Sequence, residues 1–305
     1  MNRQNLLTLL ATFALLFCFT YSCNAKGKDK AKHVVFIGLD GWGAYSLPKA
    51  DMPNVKKLME DGSYTLKKRS ALPSSSAINW ASMFMGAEPE LHGYTEWGSK
   101  TPELPSRVLN KNGIFPTVFQ LLRDARPEAE IGCLYEWEGI KYLVDTLSLN
   151  YHYHVADCNK TPKELGNMAS AYIKEKHPAL VAICYDGPDH TGHTEGHDTP
   201  AYYEKLKELD IYVGQIVQAV KDAGILDDTI FILTSDHGGI DKGHGGKTMQ
   251  EMETAFIISG KNIKKGLRFD DVSMMQYDVA STIASIFNLE QPQVWIGRPM
   301  KMVFK

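Results

Sequence analysis

His33-Val34-Val35-Phe36-Ile37-Gly38-Leu39, closed by Asp40-Gly41, decides how the rest of the chain is read. A continuous apolar run of this length marks a central strand covered on both faces. Similar runs occur at Ile131-Gly132-Cys133-Leu134-Tyr135, Leu180-Val181-Ala182-Ile183-Cys184-Tyr185, Ile230-Phe231-Ile232-Leu233-Thr234 and Ala255-Phe256-Ile257-Ile258. Between them the apolar spacing becomes helical. Ala201 to Ala223 carries Leu206, Leu209, Val213, Ile216, Val217 and Val220 on one stripe, with Lys and Glu elsewhere. Further helical patterns cover Tyr277–Phe287, Pro53–Glu60, Thr117–Asp124 and Pro162–Lys176. Strands separated by helices predict a three-layer α/β/α sandwich around a mostly parallel central sheet. With no internal repeat or low-complexity stretch, residues 33–305 read as one domain. Residues 94–160 form its expected small cap, because periodicity is poor over 94–115 and 136–160.

The 305 residues carry 33 Lys+Arg against 36 Asp+Glu, with 44% hydrophobic and 23% charged residues, close to the averages for soluble globular proteins. Disorder, collagen-like repeats and a multi-span membrane protein are excluded. A nucleic-acid surface working by bulk electrostatics would need a basic excess that is missing. Five cysteines are too few for a disulfide scaffold at this length. Residues 1–25 combine a basic start, an apolar run from Leu6 to Phe19 and small residues before Ala25, the pattern of a secretory signal. Cleavage after Ala25 frees a soluble protein with no transmembrane span; cleavage before Cys23 would instead expose a cysteine for a lipid anchor. Either way the mature chain is expected to be exported, to the periplasm or the extracellular space. Residues 26–32, Lys-Gly-Lys-Asp-Lys-Ala-Lys, read as a polar tether.

In open parallel sheets, ligands bind beyond the carboxyl ends of the strands. Here those ends read Asp40-Gly41, Asp186-Gly187-Pro188-Asp189-His190-Thr191-Gly192-His193, and Ser235-Asp236-His237-Gly238-Gly239 followed by Gly243-His244-Gly245-Gly246. Hard carboxylates and borderline imidazoles together suit Zn²⁺ or a similar divalent transition ion. A single Asp-Gly is usually a turn. Three Asp/His clusters at one predicted edge are hard to explain by turns.

Together with Ser76-Ala77-Ile78-Asn79-Trp80, Met85-Gly86, Pro89-Glu90-Leu91-His92-Gly93 and the closing Tyr277–Ile283 and Gly297-Arg298-Pro299 segments, these motifs resemble the alkaline phosphatase superfamily. The most similar branch is the type I phosphodiesterase/nucleotide pyrophosphatase group. The resemblance implies that Asp189, His193 and His244 hold one zinc, and that Asp40, Asp236, His237 and the oxygen of Ser76 hold the other. It makes Ser76 the catalytic nucleophile, passing through a covalent phosphoryl- or nucleotidyl-serine. A free serine hydroxyl is a poor nucleophile at neutral pH, and a metal pair about 4 Å apart can stabilise both the attacking and the leaving oxygen. Ser76 also falls at a predicted helix start, which favours a phosphate oxygen; the plain alternative is a helix N-cap shared with Ser74 and Ser75.

The chain departs from the family pattern in two places. The branch usually carries an Asn on the loop after His-Gly, where ungapped counting puts Trp97. Only six residues separate His237 from His244, where relatives often insert a cap. Asn79 and Trp97 are the expected substrate-facing residues, Trp97 through its indole N–H or by stacking on a base or sugar, with core packing as its alternative. The expected substrate is a small phosphoester, and a nucleotide fits that class. The activity implied is a phosphodiesterase or nucleotide pyrophosphatase. A phosphomonoesterase of the same superfamily and a non-catalytic, metal-stabilised surface binding protein are the alternatives. The Cys/Ser-x-Pro-x-Arg segment of sulfatases is absent at Ser76.

Overall fold

The computed structural model describes residues 29–156 and 162–305. The signal at 1–25 with Cys23, the tether residues before Asp29, and Cys158 lie outside the described residues. Strands are β1 (His33–Leu39), β2 (Gly62–Arg69), β3 (Ile131–Tyr135), β4 (Tyr151–His154), β5 (Leu180–Tyr185), β6 (Thr229–Thr234), β7 (Glu253–Gly260) and β8 (Leu267–Arg268). Helices are α1 (Pro53–Glu60), α2 (Ser76–Met85), α3 (Pro89–His92), α4 (Val118–Ala125), α5 (Pro162–Lys176), α6 (Gly187–Glu195), α7 (Pro200–Asp222), α8 (Met249–Met252) and α9 (Asp278–Ile286).

All five apolar runs become strands of one sheet, ordered β4-β3-β5-β1-β6-β7-β2-β8. β1 lies parallel between β5 and β6, and β3 lies parallel between β4 and β5. β7 alone is reversed, antiparallel to both β6 and β2. Its approach explains this: between β6 and β7 lie only the loop that carries the site and the four-residue α8, too short for a crossover, so the chain returns antiparallel.

Burial on both faces follows residue by residue. In β1, Val34 and Phe36 face the layer that contains α2, α4 and α9, whereas Val35, Ile37 and Leu39 face α1, α5 and α7. β5 and β6 alternate in the same way. The α7 stripe is buried at Leu206, Leu209, Val213, Ile216 and Val220, with Val217 at its margin. The three-layer α/β/α sandwich expected from the sequence is therefore present.

Two boundaries differ from expectation. Asp29–Lys32 is no solvated tether: Lys30 and Lys32 donate backbone N–H bonds to Ile286 and Asp228 at 2.9 Å each, and Ala31 is buried. A segment so rich in lysine reads as solvated because its backbone bonds and the Arg126–Asp29 ion pair at 2.7 Å leave no trace in composition. The cap expected over 94–160 is also smaller than that. α4 and β3 inside it belong to the sandwich, and β4 adds an edge strand whose Tyr-His-Tyr-His sequence is only half covered. What remains outside the layers is clamped inward by Tyr94, buried, whose hydroxyl donates to the Tyr142 carbonyl at 3.1 Å.

The first strand also sets how closely α2 can approach. A Cβ on Gly38 would lie 2.2 Å from Cη2 of Trp80, whose indole N–H donates to Asp40 Oδ2 at 2.8 Å. Gly38→Ala is expected to cost about 1–3 kcal/mol by overpacking, which thermal melting reads as a fall of about 2–4 °C per kcal/mol. An unchanged melting midpoint would remove this contact from the account of how Asp40 is held.

Candidate active site

The carboxyl ends of β1, β5 and β6 open onto one side of the sheet. Asp40 follows β1 directly, with its N–H bonded to the Tyr185 carbonyl at 2.8 Å. Gly41 then turns at φ +67, where a Cβ would come within 2.7 Å of Asp189 Oδ1. That position tolerates little beyond glycine, and the turn packs the end of β1 against α6. Asp189 and His193 sit four apart on α6 and so share a helix face. The sequence of this segment, with Pro188 and Gly192, reads as a strand-end loop; proline is compatible with a first helical turn, and the helix forms. Asp236 and His237 follow β6, and His244 returns on the next loop. Ser76 opens α2, capped by an extended Ser75 that makes no side-chain cap.

These side chains converge. Ser76 Oγ lies 3.1 Å from His237 Nε2 and donates to Asp40 Oδ1 at 3.4 Å. His237 Nε2 is 3.4 Å from Asp40 Oδ1 and 3.3 Å from Asp236 Oδ2. His193 Nε2 is 3.2 Å from Asp189 Oδ2, and His244 Nε2 is 3.7 Å from Asp189 Oδ1. Two sets have ligand atoms within 4.8 Å of one another: Asp189 with His193 and His244, and Asp40 with Asp189 and His237. Asp189 thus belongs to both, a sharing that residue spacing does not reveal. The outer set opens to solvent at His193, and the inner one is buried throughout.

Each imidazole turns Nδ1 to a backbone carbonyl: His193 to Lys242 at 2.9 Å, His237 to Gly238 at 2.7 Å and His244 to Ser74 at 3.1 Å. Carbonyls only accept, so these bonds place the ring hydrogen on Nδ1 and leave Nε2 as a lone pair. The Nε2 atoms of His193 and His244 then face each other at 3.1 Å. Two lone pairs at that distance repel unless positive charge sits between them. Asp189 Oδ1 and Asp236 Oδ2 are buried and make no hydrogen bond. A mixed nitrogen and oxygen donor set with orphaned carboxylate oxygens fits divalent transition ions.

Charge placement agrees. Burial, then the Asp236 and Asp189 charges, pushes the Asp40 carboxyl well above the usual range. Burial and Asp189 push Asp236 up to about 8. Asp189 is held below the usual range against its burial, by the hydrogen bond from His193 and the nearby His237 and His244. Burial and the His244 charge bring His237 down to about 3, and the Asp189 hydrogen bond lifts His193 to about 9. Without a cation the cluster recruits protons.

A sign follows for the metal-free protein. Between about pH 6.5 and 8, folded Asp236 and His193 each retain a proton that their unfolded forms have released. Fewer protons in the unfolded state mean that stability falls as pH rises. Asp189, His237 and the buried His197 and His92 shift downward, with windows below about 6.5. Zinc, which replaces those protons, is therefore expected to raise the melting temperature of chelator-treated protein by more at pH 8 than at pH 6.5. An equal zinc effect at both values would contradict this electrostatic account.

Ser76, Asp40, Asp189, His193, Asp236, His237 and His244 are thus assembled at one place. Asn79 corrects the sequence reading. It is fully buried, and its amide accepts from Ala71 N–H and donates to the carbonyls of Ala71, Pro73 and Ser75. It shapes the loop leading to Ser76, and no polar atom is left for a substrate. Core packing of Trp97 is likewise ruled out: the side chain is 67% exposed. Its carbonyl accepts the Ala77 N–H at 3.1 Å, which ties its loop to the first turn of α2. His92 is a buried turn residue between Ser82 and Tyr94. Trp80, which holds Asp40, went unnoticed in the sequence because a tryptophan on an apolar helix signals only core.

Comparison with known proteins places these residues in context. Residues 34–272 match the profile of the type I phosphodiesterase / nucleotide pyrophosphatase family. The bis(5'-adenosyl)-triphosphatase of Mus musculus is 26% identical over 221 residues, covering 69% of this chain and 48% of that protein. Mus musculus ectonucleotide pyrophosphatase/phosphodiesterase family member 1 is 24% identical over 214 residues, 67% of this chain and 24% of that protein. The chain spans about half, or less, of the length of the curated relatives it matches. Among solved structures, murine ectonucleotide pyrophosphatase/phosphodiesterase 5, an inactive variant in complex with AMP, superposes with TM-score 0.68 at 15% identity, covering 86% of this chain and 96% of that one. A 2-O GAG sulfatase superposes with TM-score 0.70 at 14% identity, covering 89% and 73%. At such identities the structures bear on fold alone, and they match the sheet described above.

Proposed function

The chain belongs to the type I phosphodiesterase / nucleotide pyrophosphatase family, and from that premise we propose that it is an exported, two-zinc phosphoester hydrolase of phosphodiesterase or nucleotide pyrophosphatase type, with Ser76 as nucleophile. The observation that carries this reading is the Ser76 hydroxyl at a helix start, 3.1 Å from His237 Nε2, inside a cluster of buried carboxylates and inward-facing imidazoles. Asp189, His193 and His244 would hold one ion, and Asp40, Asp236, His237 and Ser76 Oγ the other, with Asp189 in reach of both. The bound ions supply positive charge that favours the serine alkoxide and offsets charge gathering on the phosphoryl oxygens.

The protein's own groups do the rest. Asp40 Oδ1 accepts the Ser76 hydroxyl bond and orients Oγ. Trp80 and the Gly41 N–H fix the carboxylates of Asp40 and Asp236 from behind, at 2.8 and 3.2 Å. Ser76 Oγ releases its proton to solvent and bonds to phosphorus as the bond to the leaving oxygen breaks on the opposite side. The leaving oxygen takes a proton from solvent. Water then attacks the phosphoryl- or nucleotidyl-Ser76, and the P–Oγ bond breaks to return the serine. The positive end of α2 faces the phosphate, although the Ala77 N–H is already committed to Trp97.

Relatives named for nucleotide substrates support a nucleotide ester here. Trp97, exposed and held beside Ser76, would supply a face for its base or sugar. Export rests on the signal-like residues 1–25, with a lipid anchor at Cys23 as the alternative to cleavage after Ala25; among the described residues no helix is long and apolar enough to cross a membrane.

The test is zinc content together with turnover of p-nitrophenyl phosphate, bis-p-nitrophenyl phosphate and the p-nitrophenyl ester of thymidine monophosphate. Two zincs and preferential diester cleavage are expected. Two zincs without turnover on any of them would make the chain a binding protein. Trp97 in place of the expected Asn, and the short His237–His244 loop, favour phosphomonoester hydrolysis as the second reading. A monoester preference above about a hundredfold, about 3 kcal/mol of transition-state discrimination, would select it. Trp97→Ala is expected to raise KM for the thymidine ester by about tenfold, consistent with about 1–3 kcal/mol of base stacking, and to leave p-nitrophenyl phosphate unchanged. Equal changes on both would remove Trp97 from the substrate site.

A further inference from the structure

Lys68, in the basic run Lys67-Lys68-Arg69 that ends β2, is fully buried. Strand β2 explains the burial. Ser63 and Thr65 face inward, so strict alternation would turn Lys67 in next; instead the pairing with β7 shifts between Thr65 and Lys68. A slip of this kind re-aims the following side chains, and such irregularities gather beside active sites. The Lys68 amine lands under the loop after β6. It donates to the Ser235 carbonyl at 2.7 Å and to Gln276 Oε1, and touches Met83 Sδ at 3.9 Å. No carboxylate oxygen lies within ion-pair distance of it among the described residues.

Gln276 completes the arrangement. It is also fully buried, and its N–H bonds the Arg69 carbonyl at 3.0 Å, which locks it to the end of β2. Its amide donates to the Ser235 carbonyl at 3.1 Å and to the Asp236 carbonyl. Two consecutive carbonyls, those of Ser235 and Asp236, are thus gripped from below. From above, Ser235 Oγ donates to the His237 carbonyl at 2.8 Å and accepts from Trp42 N–H at 2.9 Å. The three-residue segment that presents Asp236 and His237 has no slack left.

We propose that Lys68 is a positioning residue of the inner metal set: with Gln276 it fixes the Ser235–Asp236 backbone, and so sets where Asp236 and His237 offer their ligand atoms. This rests on the metal reading given above. It needs only the hydrogen bonds of the amine, which go to the backbone carbonyl just before the ligand pair and to the glutamine that holds the same carbonyl. Groups that orient metal ligands typically contribute about 10–100-fold to metal affinity.

The experiment measures zinc binding to the full chain by competition with a chromophoric chelator, with His193→Ala identifying the outer equivalent. Lys68→Met keeps length and apolar burial but removes the donor. It is expected to weaken one zinc equivalent by about 10–100-fold, to leave the outer one unchanged, and to recover kcat when zinc is raised. Gln276→Met, which releases the Ser235 carbonyl and that of Asp236 beside it, should give the same pattern, and decides the matter if Lys68→Met does not fold. A merely structural role would lower the melting temperature without separating the two equivalents. Folded variants that bind both zincs as tightly as the wild type, or weaken both alike, would overturn the proposal. A wild-type chain that binds no zinc would instead overturn the metal reading itself, and this inference with it.

Discussion

Replacing Ser76 with alanine is expected to lower kcat on a diester substrate by at least about 10⁴-fold, about 5.5 kcal/mol, with fold and zinc content retained. The substitution removes one oxygen. The helix start does not depend on that oxygen, because Ser75 occupies the cap position and makes no side-chain cap. Among the described residues Ser76 Oγ hydrogen-bonds only Asp40 and His237, and both keep their other partners, Trp80 and the Gly238 carbonyl. Alanine at this position therefore costs little stability, and the six Asp and His side chains proposed to hold the ions are all retained. What vanishes is the atom proposed to bond to phosphorus. Solvent can attack directly in its place only without the proximity that a fixed nucleophile provides. Steady-state kinetics gives the ratio, and intact-mass analysis of quenched wild-type turnover should show a substrate-derived adduct that Ser76→Ala lacks. Activity within tenfold of wild type would remove Ser76 as nucleophile.

Asp189→Asn should have the broadest effect on metal loading. Asp189 is the carboxylate common to both ligand sets, with one oxygen 3.2 Å from His193 Nε2 and the other 3.7 Å from His244 Nε2. Asparagine keeps the shape and removes the charge. Taking one partner from a buried charge set costs about 3–5 kcal/mol, some hundred- to several-thousand-fold in affinity. Both zinc equivalents are expected to weaken, whereas His193→Ala should weaken one. Chelator competition on the two variants checks this. An Asp189→Asn protein that retained a full-strength second zinc would mean that Asp40, Asp236 and His237 close the inner set without Asp189.

Legibility differed between parts of the chain for identifiable reasons. The five apolar strands and the α7 stripe were readable because each is buried by its own local pattern. β2 escaped because a register slip and a buried lysine break its alternation, and β4 because an edge strand need not be apolar. α6 escaped as a helix because glycine and proline lower helix propensity, which tertiary packing here overrides. Asn79, part of the motif around Ser76, was readable as special but not as structural. Its four bonds to the 71–75 loop exist only once that loop is folded.

The sequence by itself determined the layered fold and the residue types that reach the carboxyl edge of the sheet, since periodicity encodes burial and strand ends are local features. Tertiary structure decided which atoms meet. His193 and His244 lie 51 residues apart, yet their Nε2 atoms stand at 3.1 Å. Asp189 is shared between two sets, Lys68 is turned inward, and Trp97 is left exposed beside Ser76. These follow from strand order, one slip in register and the path of loops. All of them join residues distant along the chain, where spacing carries no distance information.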